Sequence, residues 1–164
     1  EEDLLYRIEL MKRFPAFHFD PDSLTCRNTH GDYFISQLIC GEQKINAVID
    51  WTTACVHPVI WEIIRSYVYA SPQCREGEID MEEFAEYLSA YLEYAPLTAA
   101  DIQMMPRLFY YQIAVCDYYN QYYQSQAANR EIYLHQAVFS TKLMKWFDKN
   151  LDSFSEELAA RFIK

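Results

Sequence analysis

The sequence predicts a mainly α-helical α+β domain, and three features carry that expectation. Apolar residues recur at helical spacing at the N-terminus and over most of the chain after Trp51. Two short alternating runs, residues 33–40 and 44–49, flank Gly41-Glu42-Gln43 as the arms of a hairpin would. Glycine is scarce, with only 3 residues, which leaves little room for long mobile loops. A length of 164 residues suits one domain with a sizeable core, spanning 1–164. Within it, residues 23–70 hold the strands and the first helix after them, and residues 71–164 form a helical subdomain.

Taken in order, residues 1–13 carry leucines, Ile8 and Met11 at helical spacing behind leading acids, so a helix is expected there. Pro15 and Pro21 should end it. Residues 24–29 read as a short extended piece, followed by the hairpin. Pro58 suits a first helical turn, and residues 58–69 keep helical spacing. Residues 71–78 read as a loop. Asp80, with Glu83 three residues on, caps a helix to about residue 94. Thr98, with Asp101 in the first turn, caps another that reaches about residue 125, with an interruption expected near Pro106. Two further helices are expected over 129–150 and 153–163. The stretch REGEIDMEEF imitates the end of a calcium loop, but Pro72 and Cys74 would fill positions that need oxygen ligands, so a helix start is the better explanation. Tyr111, Val115, Tyr118 and Tyr122 would share one helical face, read as core in preference to a wall for a cationic substrate.

The formal net charge of −10 argues against nucleic acid or an anionic membrane surface as partner, and would suit a cationic substrate. No apolar run approaches the length of a membrane span. The 5 cysteines form no CxxC pair, which suits reduced thiols in a cytoplasmic protein.

The chemistry-bearing residues lie in the first third. His30-Gly31-Asp32, with a carboxamide at Gln37, has the H-x-D-x-x-x-x-N shape of a kinase catalytic loop, with Gln in place of Asn. An Asp in a tight loop can accept a hydroxyl proton as the oxygen attacks phosphorus, and a carboxamide oxygen a few residues on can bind magnesium. The hairpin returns the chain to the same end, where Asp50 stands.

The stretch HGDYFISQLI, with INAVIDWTTACVHPVIWEI after it, resembles the aminoglycoside phosphotransferase and choline kinase superfamily. These are small-molecule kinases with a protein-kinase-like fold, and the likeness is greatest to the bacterial branch with homoserine-kinase-type and spore-coat-associated members. The resemblance is specific over residues 29–67 and implies the C-terminal lobe of a two-lobed kinase, with ATP as phosphate donor and Mg2+ as cofactor. By it, Asp32 is the catalytic base or hydroxyl-orienting group, His30 supports the loop, Asp50 is the main magnesium ligand, and Gln37 stands at the second metal position. Glu62 would brace the loop from below, as a structural residue. Acceptors of such relatives include aminoglycosides, choline-like amino alcohols, homoserine and sugars.

Three departures matter. Gln37 replaces the usual Asn, and it reads equally as a metal ligand or a loop hydrogen-bonder. His57 stands where an acid often precedes the proline, with no role assigned. No Gly-rich phosphate loop and no strand Lys is found, since Lys44 lies in the hairpin turn. The chain is therefore expected to be a fragment whose own N-terminal lobe is absent, inactive alone, and able to self-associate through the uncovered inter-lobe face. A degenerate kinase kept as a structural or interaction protein, such as a spore-coat scaffold, is the alternative; Gln37 favours it, while the retained Asp32 and Asp50 disfavour it.

Overall fold

The computed structural model describes residues 1–14 and 20–163, so the helix stop expected at Pro15 lies outside the described residues. The described chain is mainly helical, with two small antiparallel sheets of two strands each. Among the described residues no helix is long and apolar enough to cross a membrane.

Helix α1 (Glu2–Arg13) leads with Glu2 and Asp3 and ends with Lys12 and Arg13, matching the helix dipole. Of its apolar residues Leu10 is buried, while Leu5, Ile8 and Met11 are exposed. Polar contacts also hold it. Arg13 and Tyr6 reach Asp148, and Lys145 reaches Asp3 at 2.6 Å. Buried Arg7 donates to the carbonyls of Ile113, Ala114 and Cys116 at 3.1, 3.1 and 2.9 Å.

Strand β1 (Cys26–Thr29) pairs with β4 (Cys55–Pro58), setting Arg27 opposite His57. Strands β2 (Leu38–Cys40) and β3 (Ile45–Val48) form the hairpin. The first arm is shorter than the sequence predicts. Residues Ile35–Gln37 form a single 3-10 turn, closed by Gln37 N–H donating to Phe34 at 2.9 Å. Pro58 ends β4 and caps α2 (Val59–Ala70), so it stands one residue before the helix. His57, in that same strand, lies against Trp61.

The expected loop over 71–78 holds a short helix, α3 (Pro72–Glu76), with Pro72 in its first turn and Gly77 ending it at φ 89°. Asp80 caps α4 (Met81–Leu92), its carboxylate accepting from Glu83 N–H at 3.0 Å. The Glu83 side chain does not complete a capping box, because it accepts from Tyr67 and Ser71. Helix α5 (Ala99–Val115) runs unbroken through Pro106. Burial of Ile102, Met105, Leu108, Phe109 and Ile113 along it outweighs the one hydrogen bond that the proline removes. The break falls at Cys116 instead, where Arg7 collects the last carbonyls of the helix. Tyr118 and Tyr122 therefore belong to a separate helix, α6 (Tyr118–Gln124), and do not continue a stripe from Tyr111. Helix α7 (Glu131–Phe162) is continuous where two helices are expected. Asn150, Ser153 and Ser155 bond back to the carbonyls of Trp146, Asn150 and Leu151, so these residues decorate a helix in place of ending one.

The core lies where α2, α4, α5 and α7 meet, around Ile60, Ile64, Phe84, Leu88, Met105, Phe109, Leu143 and Phe147. One buried carboxylate ties it to the site. Asp101 accepts from Thr98 N–H and hydroxyl at 2.8 and 2.9 Å, completing a capping box, and from Thr25 N–H and hydroxyl at 2.8 and 2.7 Å, just before β1. Burial pushes its pKa up, but the bonds from Thr25 and Thr98 outweigh this and hold it below the ordinary value. A depressed folded pKa stabilises the fold above the unfolded pKa of about 3.9 and loses that contribution as pH falls through the folded value. Asp101→Asn should cost about 2–3 kcal/mol near neutral pH. In urea titrations the gap to wild type should narrow at about pH 3; a gap unchanged from about pH 7 would contradict it.

Candidate active site

The loop after β1 is shaped by its backbone. Gly31 adopts φ 82°, and a Cβ there would lie 2.3 Å from the Thr53 carbonyl oxygen, so any side chain would both strain the residue and collide. Glu62 on α2 takes the two consecutive N–H groups that lead into this turn: His30 N–H at 3.1 Å and Gly31 N–H at 2.6 Å. The expected brace is present, and Thr53 adds to it by donating to the His30 carbonyl at 3.1 Å.

His30 is buried and ties the loop to the far arm of the hairpin. Its Nε2 lies 2.7 Å from the Ile49 carbonyl, which can only accept, so Nε2 carries the proton. Nδ1 is then free to accept from Asp32 N–H at 3.3 Å. One imidazole thus links the residue before Asp50 to Asp32. Gln37 makes a second link, its carbonyl accepting from Ile49 N–H at 2.9 Å.

Both oxygens of Asp32 are held. Gln37 Nε2 donates to Oδ2 at 3.2 Å, and Arg65 of α2 forms an ion pair with Oδ1. The carboxylate only accepts, so the Gln37 amide nitrogen must face it and the amide oxygen turns away. Gln37 therefore bonds the Asp32 carboxylate through its nitrogen, which leaves the metal-ligand reading of its oxygen open. The Asp32 side chain keeps about a third of its surface, 34%, open to solvent.

Asp50 follows β3 in the left-handed region at φ 61°, and it is exposed. Thr52 donates to its Oδ1 at 2.7 Å. Trp51 lies against the His30 ring at 4.7 Å between centroids, yet 58% of it is exposed, so it flanks the site more than it packs beneath it. Among the described residues no three His, Cys, Asp or Glu side chains gather as a closed metal cage. Magnesium needs none when phosphates and water supply most of its oxygens. Asp50 Oδ2 and the Gln37 amide oxygen suit that role, and the Ile49–Gln37 backbone bond keeps their residues adjacent.

The structure thus gathers His30, Asp32, Gln37 and Asp50 around one loop and hairpin end, with Glu62 beneath. Arg65 and Thr53 were not legible as site residues. Arg65 had one usable signal, its position three residues after Glu62 on the same helix.

Comparison with known proteins gives one positive finding. A family model described as the phosphotransferase enzyme family (APH) matches residues 8–100, more than half of the chain. No curated protein and no solved structure matches.

Proposed function

Because the chain belongs to the phosphotransferase enzyme family, we propose that it is the catalytic lobe of an ATP-dependent kinase that phosphorylates a small-molecule hydroxyl. The observation that carries this reading is the pairing of a partly open, two-sided hold on Asp32 with an exposed Asp50 at the adjoining hairpin end. In it, the acceptor hydroxyl lies against Asp32, which orients it and receives its proton. The hydroxyl oxygen forms a bond to the γ-phosphorus of ATP, the bond to the β-phosphate oxygen breaks, and ADP leaves. Asp50 and Gln37 would hold magnesium, which supplies charge neutralisation on the phosphates. His30, Glu62 and Thr53 keep the loop in shape, so rate comes from positioning and fixed charge. The charge of −10 favours a cationic acceptor.

An exposed apolar surface supports a two-lobed parent. Ile35, Ile39, Ile45 and Trp51 are exposed on or beside the hairpin, and Val56 is exposed on β4 of the other sheet. In this reading they meet an N-terminal lobe, and a chain without that lobe is inactive and self-associates through them.

The test is transfer from ATP by the full-length protein across amino alcohols, aminoglycosides, sugars and homoserine. Transfer to one class is the expected result and names the acceptor. Absence of both transfer and magnesium-dependent nucleotide binding would overturn the kinase reading in favour of a scaffold.

A further inference from the structure

We propose that Arg65 is a positioning residue for the reaction, holding the Asp32 carboxylate in its working orientation. The inference rests on the reading of Asp32 as the group that receives the acceptor proton.

Helix α2 meets the catalytic loop at two points. Glu62 grips the backbone at His30 and Gly31, and Arg65, three residues on, grips the side chain of Asp32. The spacing places both on neighbouring parts of one helix surface, so a single rigid element sets the loop and its carboxylate together. Arg65 is itself held. Its side chain is only 13% exposed, and its guanidinium carbon lies 4.6 Å from the Tyr69 ring centre and 5.4 Å from that of Phe34. Tyr69 is the next residue but three along α2, and its hydroxyl is fixed by Gln136 of α7 at 2.9 Å. Phe34 lies two residues beyond Asp32 and packs against Tyr69 at 5.6 Å. The cation is thus sandwiched between the helix that carries it and the loop that it positions.

A planar guanidinium suits this place. It can stack on the rings and still present an N–H edge to the carboxylate, which an ammonium cannot do. With Arg65 on Oδ1 and Gln37 on Oδ2, rotation of Asp32 about its last side-chain bond would break one contact or the other. Its remaining lone pairs therefore point in set directions. Gln37, at the end of the 3-10 turn, reaches back to Oδ2 through its amide nitrogen, so the residue that departs from Asn is part of the same arrangement.

The experiment uses the full-length protein with Arg65→Met and Arg65→Lys. Two readouts are taken: kcat and KM for transfer, and the carboxyl 13C resonance of Asp32, assigned by its loss in Asp32→Asn. Arg65→Met should lower kcat about 100-fold, as a misplaced reacting group does, while KM for nucleotide stays within about threefold. The Asp32 resonance should move. Arg65→Lys should lie between the two proteins in both readouts. An unmoved resonance in Arg65→Met, or a kcat within about threefold of wild type, would overturn the proposal. Should Arg65→Met fail to fold by circular dichroism, wild-type values of both readouts in Arg65→Lys would overturn it. Should wild type neither transfer phosphate nor bind nucleotide with magnesium, the kinase reading falls, and the resonance alone decides whether Arg65 holds Asp32.

Discussion

Asp32→Asn is expected to abolish phosphoryl transfer, lowering kcat by about 10²–10⁴-fold while leaving nucleotide binding near wild type. Asn keeps the shape of the side chain and can still accept from Arg65 or Gln37 through its one oxygen. It lacks the second acceptor oxygen and cannot take a proton at the working pH. The change therefore removes the chemistry and spares the architecture. Some stability should also be lost, because Arg65 is largely buried and would lose its ionic partner. Asp32 is a third exposed and the guanidinium keeps its aromatic contacts, so the loss should be about 1 kcal/mol, far below the cost of breaking a fully buried pair. Single-turnover transfer, nucleotide titration and a thermal melt on the same sample separate the three effects. A variant that retains transfer within tenfold, about 1.4 kcal/mol in barrier, would remove Asp32 from its assigned role.

What the sequence disclosed and what it hid divide along physical lines. Caps, which act through adjacent residues, were legible: Asp80 and Thr98 both cap as expected. The hairpin was legible because its alternation and turn are local. Breaks set by distant partners were not. Pro106 carries the strongest helix-breaking signal, yet tertiary burial keeps α5 intact. The real break at Cys116 depends on Arg7, more than 100 residues away along the chain. The loop motif was legible in residue type and spacing. Its electrostatic setting was not, since Arg65 reaches Asp32 across 33 positions and Thr53 reaches His30 across 23. The role of Gln37 shows the same limit. Spacing left a ligand and a hydrogen-bonder equally open, and only the approach to Asp32 Oδ2 assigns its nitrogen.

Asp50→Asn is expected to have an effect of similar size by a different route. Asp50 sits at φ 61°, where most side chains are strained and Asn is among the best tolerated. Asn can also accept the hydrogen bond from Thr52 that holds Oδ1. Backbone and local contacts should therefore survive, and stability should stay within about 0.5 kcal/mol of wild type. What disappears is the negative charge at an exposed position beside Gln37, whose amide oxygen alone is a weak partner for a hard divalent cation. Magnesium-dependent nucleotide binding should then be lost, and transfer should fall on the order of 10³-fold, equivalent to several kcal/mol of transition-state stabilisation. Calorimetric titration of ADP into the full-length protein, with and without Mg2+, reads the binding directly and needs no acceptor. Asp32→Asn should keep the magnesium dependence that Asp50→Asn loses, because Asp32 is engaged by Arg65 and Gln37 while Asp50 faces solvent. If Asp50→Asn binds Mg-nucleotide as wild type does, Asp50 is not the metal-bearing carboxylate. The two aspartates would then no longer divide the work between proton and phosphate.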